Sequence, residues 1–99
     1  MGIPAERIER LHELAREAAA EGDVDRGREY VRLARRIAER HRSGLPRRFR
    51  RFTCDECDAY LRPGATARVR LQSGGQSPGH VVLRCLCCGA TKRYPYEET

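Results

Sequence analysis

The sequence has no tryptophan, and aromatic residues make up only 6% of it. No apolar run approaches the roughly 18 residues of a membrane span, so no membrane contact is expected. The opening residues, MGIPAERIERLHE, lack the hydrophobic stretch of a secretory signal. A reducing, cytoplasmic compartment is therefore the expectation. Catalytic groupings are missing too: the acids are scattered, no serine or threonine has a base at a meaningful spacing, and there is no phosphate-binding loop. The isolated chain is not expected to catalyse anything.

Apolar material is scarce as well. Mean hydropathy is −0.73 and 34% of the residues are charged. A chain of 99 residues buries only about 60 to 65% of its unfolded surface, which makes a poor core marginal. A metal, a disulfide or a partner is expected to supplement it. Lysine is nearly absent, with Lys92 alone among 20 basic residues, and the formal charge is +6. Arginine's planar fork of five donors suits phosphates and base edges. Bare solubility, or a genome base bias toward arginine, would produce the same count.

The strongest positive signal is five cysteines. Cys54 and Cys57 form one C-x-x-C pair, and Cys85 and Cys88 form a second. Two intervening residues turn both sulfurs toward one point, and two such knuckles complete a tetrahedron with zinc–sulfur distances of about 2.3 Å. Four protein ligands leave no position for water, so one structural Zn2+ is expected, with binding that contributes to folding. The 27 residues between the pairs exceed the usual spacing of about 15 to 20, and a Gly/Ser/Pro stretch over 73–79 accounts for the excess as a hairpin loop. A redox pair needs a βαβ context that is missing. Disulfides conflict with a reducing compartment, and the double knuckle favours zinc over an iron–sulfur cluster. Cys87 is left as a free thiol. His12, His41 and His80 read as surface or packing residues rather than ligands.

The fold expected is a small metal-bound α+β chain. Its parts are a helical hairpin over 1–45, a basic linker over 46–53, and a ribbon of about three short antiparallel strands over 54–99. Pro4 and Glu6 suit a first turn, and Ile8, Leu11, Leu14, Ala15 and Ala18 recur at helical spacing. Glu21-Gly22 ends that helix, with glycine in the left-handed cap. Asp23 is the expected N-cap of a second helix, whose apolar stripe is Val24, Gly27, Tyr30, Val31, Ala34, Ile37, Ala38 and His41. Ser43-Gly44-Leu45-Pro46 should end it. The hairpin either packs on itself and the ribbon or presents an outer apolar edge to a protein partner. Leu11, Leu14, Ala18, Tyr30, Ala34 and Ile37 are the candidates for that edge. Strands are expected over 66–71, 80–84 and 92–94.

Between Arg26 and Arg51 there are eleven arginines against two acids, Glu29 and Glu39. A solvated face usually mixes its signs, and such a concentration repels itself unless a polyanion relieves it. Arg28, Arg32, Arg35 and Arg36 lie off the stripe of the second helix, and Arg47, Arg48, Arg50 and Arg51 interleave with Phe49 and Phe52. In the ribbon Arg68 and Arg70 share one strand face, Arg84 lies on the next strand, and Lys92, Arg93, Tyr94 and Tyr96 are expected to complete that face. Basic groups would hold phosphates and tyrosines would stack on unpaired bases, although Tyr94 also suits hydrophobic packing.

With that order in hand, the chain resembles the archaeal ribonuclease P protein component 4 family, of the Rpr2 and Rpp21 type. The resemblance rests on Arg51-Phe52-Thr53-Cys54-Asp55-Glu56-Cys57, on Pro63-Gly64-Ala65-Thr66-Ala67-Arg68-Val69-Arg70, and on Cys85-Leu86-Cys87-Cys88-Gly89 through Arg93-Tyr94-Pro95-Tyr96. It spans nearly the whole chain, and Cys87 departs from it by replacing a polar residue. What the resemblance implies is a two-helix-plus-ribbon fold in an L shape. It also implies a part in 5′ maturation of precursor tRNA by a ribonuclease P holoenzyme (EC 3.1.26.5) whose RNA subunit does the chemistry. The implied partners are the specificity domain of the ribonuclease P RNA and a small barrel protein related to Pop4, with precursor tRNA met indirectly. Arg47, Arg48, Arg51, Arg68, Arg70, Lys92 and Arg93 fall at places that face RNA in the family, and Arg50, Arg84 and Tyr94 join them as candidates. The competing expectation is a protein-binding zinc ribbon of the transcription or translation machinery, and a weaker third is a redox protein.

Overall fold

A computed structural model describes residues 3–74 and 77–95. The helix α1 runs Ile3–Ala20 and α2 runs Val24–Arg40. Asp23 caps α2 as expected, accepting at Oδ1 from the Arg26 amide. Gly22 takes φ +78, and the amides of Gly22 and Asp23 donate to the carbonyls of Ala19 and Ala18 at 3.0 and 2.9 Å, the paired bonds of a Schellman cap. The same pair closes α2, but the left-handed residue there is Arg42, at φ 53, and not Gly44. Its amide bonds the Glu39 carbonyl, and the Ser43 amide bonds that of Ala38.

The hairpin closes on small side chains. Ala15, Ala18, Ala19, Val31, Ala34 and Ala38 are buried, so the two helices approach closely. This corrects the docking edge read from the sequence: Ala18 and Ala34 lie inside the hairpin seam. Leu11, Tyr30 and Ile37 are half-buried against the same core, and Leu14 is half-buried as well. Leu33, which the stripe omitted, is the exposed leucine of α2 at 44%.

The stretch expected as a linker folds. A short helix, α3, runs Arg47–Arg51 behind Pro46, and its Phe49 is fully buried in one cluster with the hairpin residues Ile8, Val31 and Ala38 and with Tyr60 of the ribbon. Helical spacing sends Phe49 inward and leaves Arg47, Arg48 and Arg50 exposed. His12 stacks on Phe49, with ring centroids 4.5 Å apart and planes at 6°, and its Nε2 lies 2.9 Å from the Tyr60 hydroxyl.

Three antiparallel strands follow in the order β1 (Ala67–Gly74), β2 (Ser77–Cys85), β3 (Thr91–Pro95). Both strands of the first hairpin extend into the segment expected as a loop, pairing as far as Gly74 and Ser77. Tyr96 lies outside the described residues. The molecule measures 45 × 28 × 19 Å, and among the described residues no helix is long and apolar enough to cross a membrane.

A four-cysteine metal centre and its basic surfaces

The two knuckles are built alike. Cys54 donates its amide to the Ala59 carbonyl at 2.9 Å, and Cys85 does the same to Ala90 at 2.8 Å. In each turn the residue four places on returns an amide to the first cysteine's carbonyl, Asp58 to Cys54 at 3.0 Å and Gly89 to Cys85 at 2.9 Å. Both of those residues have positive φ, 64 for Asp58 and 84 for Gly89. Such turns aim backbone amides at the sulfurs, those of Glu56 and Cys57 at Cys54 and those of Cys87 and Cys88 at Cys85.

The four sulfurs of Cys54, Cys57, Cys85 and Cys88 lie within 4.8 Å of one another. Cys54 Sγ is 3.5 Å from Cys88 Sγ, and Cys57 Sγ is 3.7 Å from Cys85 Sγ. Thiolates about 2.3 Å from a tetrahedral ion stand about 3.8 Å apart, so the donor set fits a metal ion. All five cysteines are unbridged, and Cys87 lies outside the cluster as expected. The environment divides the thiols. Burial pushes Cys54 up to about 12. At Cys57 burial acts the same way, but the Ala59 amide, Arg28 and the neighbouring thiols outweigh it and bring the group down to about 7.

Three arginines of α2 grip this centre from outside. Arg28 Nε donates to the Cys57 carbonyl at 2.8 Å, and its remaining nitrogens reach Asp25 at 3.0 Å and Cys87 Sγ at 3.1 Å. Arg32 Nε lies 3.1 Å from Asp58 Oδ2. Arg35 Nε lies 3.1 Å from Asp58 Oδ1 and its terminal nitrogen 3.7 Å from Asp55. Aspartate tolerates the left-handed region better than most residues, and here it also gives α2 a carboxylate to hold. Part of the arginine run is therefore balanced within the chain, which the sequence reading missed because Asp55 and Asp58 lie 20 or more residues from Arg32 and Arg35.

Two further surfaces gather basic groups. Residues directly opposite in a ladder share a sheet face, and neighbours along a strand alternate. On one face Arg68 pairs with Arg84, and Arg70 and Arg93 flank Val82 from either side. All four arginines are exposed, and none has an ion-pair partner among the described residues. Lys92 and Tyr94 were expected there too, but the alternation puts them on the opposite face, in register with Leu83 and Val81. Lys92 Nζ donates to the carbonyls of Arg50 and Thr53 at 2.7 and 2.8 Å and lies 3.6 Å from Asp55, which ties β3 to the end of α3. The Arg51 guanidinium sits 4.8 Å from the centre of the Tyr94 ring. Burial, against a smaller pull from Arg51, raises that phenol's pKa. Together Arg47, Arg50, Arg51, Lys92 and Tyr94 line a hollow of about 170 Å3.

Helical hairpin, four-cysteine ribbon and exposed arginine surfaces define a small ribbon protein with a donor set for one metal ion. Residues 7–89 match the RNAse P Rpr2/Rpp21/SNM1 subunit domain, and the chain belongs to that family. It is 65% identical over 94 residues to Ribonuclease P protein component 4 of Halobacterium salinarum, covering 95% of both chains. It is 50% identical to the component of the same name from Methanopyrus kandleri, covering 95% of this chain and 71% of the other. Among solved structures, a chain in the cryo-EM structure of archaeal Ribonuclease P with mature tRNA superposes with a TM-score of 0.83 at 45% identity, covering 94% of this chain and 76% of that one. Pfu Rpp21 superposes at 0.67 with 37% identity, covering 92% and 97%. Membership makes the chain a non-catalytic subunit of ribonuclease P.

Proposed function

We propose that this subunit binds the ribonuclease P RNA at its specificity domain, and that one structural zinc ion on Cys54, Cys57, Cys85 and Cys88 holds the binding faces in place. The RNA subunit would carry out 5′ cleavage of precursor tRNA, while this chain supports the RNA beside a second protein component of the barrel type related to Pop4. The observation that carries the reading is the sheet face where Arg68 opposes Arg84 and Arg70 and Arg93 flank Val82. Like charges directly opposite in a ladder are unfavourable, and a polyanion turns that cost into affinity. Arg47, Arg48, Arg50 and Arg51, with Tyr94, form the second contact. Leu11, Leu14, Tyr30 and Ile37 of the hairpin, with the exposed Leu33, are the proposed side for the protein partner. Unbridged thiols fit a reducing cytoplasm.

The test is binding of the zinc-loaded chain to ribonuclease P RNA across a salt series. Each phosphate contact should contribute about −0.7 to −0.9 to the slope of log affinity against log salt. A negligible slope, or equal affinity for unrelated RNAs, contradicts the reading.

A further inference from the structure

A cleft between α1 and the turn leading into β1 is used by none of the contacts assigned above. It has a volume of about 300 Å3 and is lined by Arg16, Phe52, Tyr60, Leu61, Arg62 and Pro63. That volume is at the small end of the range for small-ligand sites, room for a single base and not for a duplex. Its walls are rigid. The Tyr60 hydroxyl is held by His12 at 2.9 Å, and Thr66 Oγ1 donates to the Tyr60 carbonyl at 2.6 Å. The Arg62 amide donates to Thr66 Oγ1 at 2.7 Å, and its carbonyl accepts from Ala65, Thr66 and Ala67 between 2.9 and 3.1 Å. The Arg62 side chain therefore springs from a fixed base, and preorganised donors lose little entropy when they bind.

Arg16 sits one helical turn beyond His12 and reaches the Tyr60 hydroxyl from the hairpin side. Arg16 and Arg62 thus line one cleft with the half-buried ring of Phe52, and Tyr60 and Leu61 are buried behind it. Neither has an ion-pair partner among the described residues, so their fields add in a partly enclosed space.

We propose that this cleft is a nucleotide subsite, in which Arg16 and Arg62 hold a phosphate and an unpaired base lies against the half-buried Phe52 and the exposed Pro63. It rests on the RNA-binding function proposed above and adds a contact that includes Arg16 of the hairpin. An acidic protein segment would also satisfy two arginines, but it has no use for the ring of Phe52 beside them. Unpaired bases do, since every base has a π-face to pack.

The experiment uses the full zinc-loaded chain. Arginine side-chain Nε–H and phenylalanine ring resonances are followed during titration with a short oligouridine and, separately, with inorganic phosphate. The oligonucleotide should move Arg16, Arg62 and Phe52 together, and phosphate should move the arginines alone. The double variant Arg16→Gln, Arg62→Gln should keep its zinc and melting temperature. It should bind ribonuclease P RNA about tenfold more weakly, with a salt slope reduced by about 0.7. Wild-type affinity and slope in that variant, with wild-type protein binding the RNA well, overturn the subsite and leave the RNA function standing. Arginine shifts without any response of Phe52 to the oligonucleotide also overturn it, leaving an anion site only. A wild-type chain that fails to bind the RNA at low salt overturns both.

Discussion

Arg68 and Arg84 stand directly opposite each other across the β1–β2 ladder, a placement that works against folding and for polyanion binding. Arg84→Gln is therefore expected to move stability and function in opposite directions. Relief of a like-charge cross-strand pair is worth a few tenths to about 1 kcal/mol, or a rise of about 1 to 8 °C in melting temperature for a domain of this size. Affinity for ribonuclease P RNA should fall, and the salt slope with it. Thermal melts and binding isotherms on the same samples check this, and a fall in both properties would make Arg84 structural.

Removal of the metal should unfold the ribbon, because the donor set closes the two knuckles on each other and structural sites of this kind contribute folding energy. Cys87→Ser should still bind one ion per chain and keep the native circular dichroism spectrum. Cys54→Ser or Cys85→Ser, at buried positions, should lose the ion. Native mass spectrometry distinguishes them.

Arg28 joins α2 to both knuckles through the Cys57 carbonyl and Cys87 Sγ. Its replacement by alanine should weaken metal affinity by about tenfold or more, as for other outer-shell partners of metal ligands. Competition with a coloured chelator measures it. Arg28→Lys should restore little, because one ammonium cannot span Cys57, Asp25 and Cys87 as the fork does.

His12 gives the fold a pH dependence. Burial, with Arg16 and Arg48 adding to it, holds the imidazole pKa below its ordinary 6.5, and Glu9 and Glu13 pull the other way. The unfolded chain therefore takes up a proton at higher pH than the folded one. This contribution to stability is fully present above pH 6.5 and is lost as pH falls through the depressed value. In His12→Gln the melting temperature should depend less on pH across that window. Subtracting the variant's profile from that of the wild type removes the loss of metal at low pH, which both share.

At the end of α2 the left-handed cap position carries Arg42 at φ 53, where a side chain costs roughly 1 kcal/mol or more relative to glycine. Arg42→Gly should stabilise the chain by about that amount in denaturant titrations. Gly27, the fourth residue of α2, has room for a methyl group, with nothing nearer than 3.6 Å, and Gly27→Ala should add about 0.5 to 1 kcal/mol.

Local signals carried much of this fold. The period of α1 and α2, the Asp23 cap, the Gly22 stop and the four cysteines all depend on spacing over a few residues, and each is where the pattern places it. The misses share a different physics. Phe49 and Phe52 stand three apart behind Pro46, which is a helix signal, but five arginine-rich residues look like a linker until a core forms around Phe49. Arg32 and Arg35 read as unpaired because Asp58 reaches them only through the tertiary fold. Lys92 and Arg93 were assigned one face although strand alternation separates adjacent residues. Ala18 and Ala34 looked like a docking edge because a sequence stripe does not say which neighbour covers it. Arg16 and Arg62 carry no motif at all, and only the fold brings them to one cleft.

The most direct test of the central claim is reconstitution. Ribonuclease P RNA is combined with its other protein components, with and without this chain, and precursor tRNA cleavage is followed over a magnesium series. The chain should raise the rate or lower the magnesium requirement. A folded, zinc-loaded variant carrying Arg68→Gln, Arg70→Gln, Arg84→Gln and Arg93→Gln should fail to do so. Cleavage that is indifferent to the chain, or equally well supported by that variant, would contradict a scaffold whose arginine face holds the RNA.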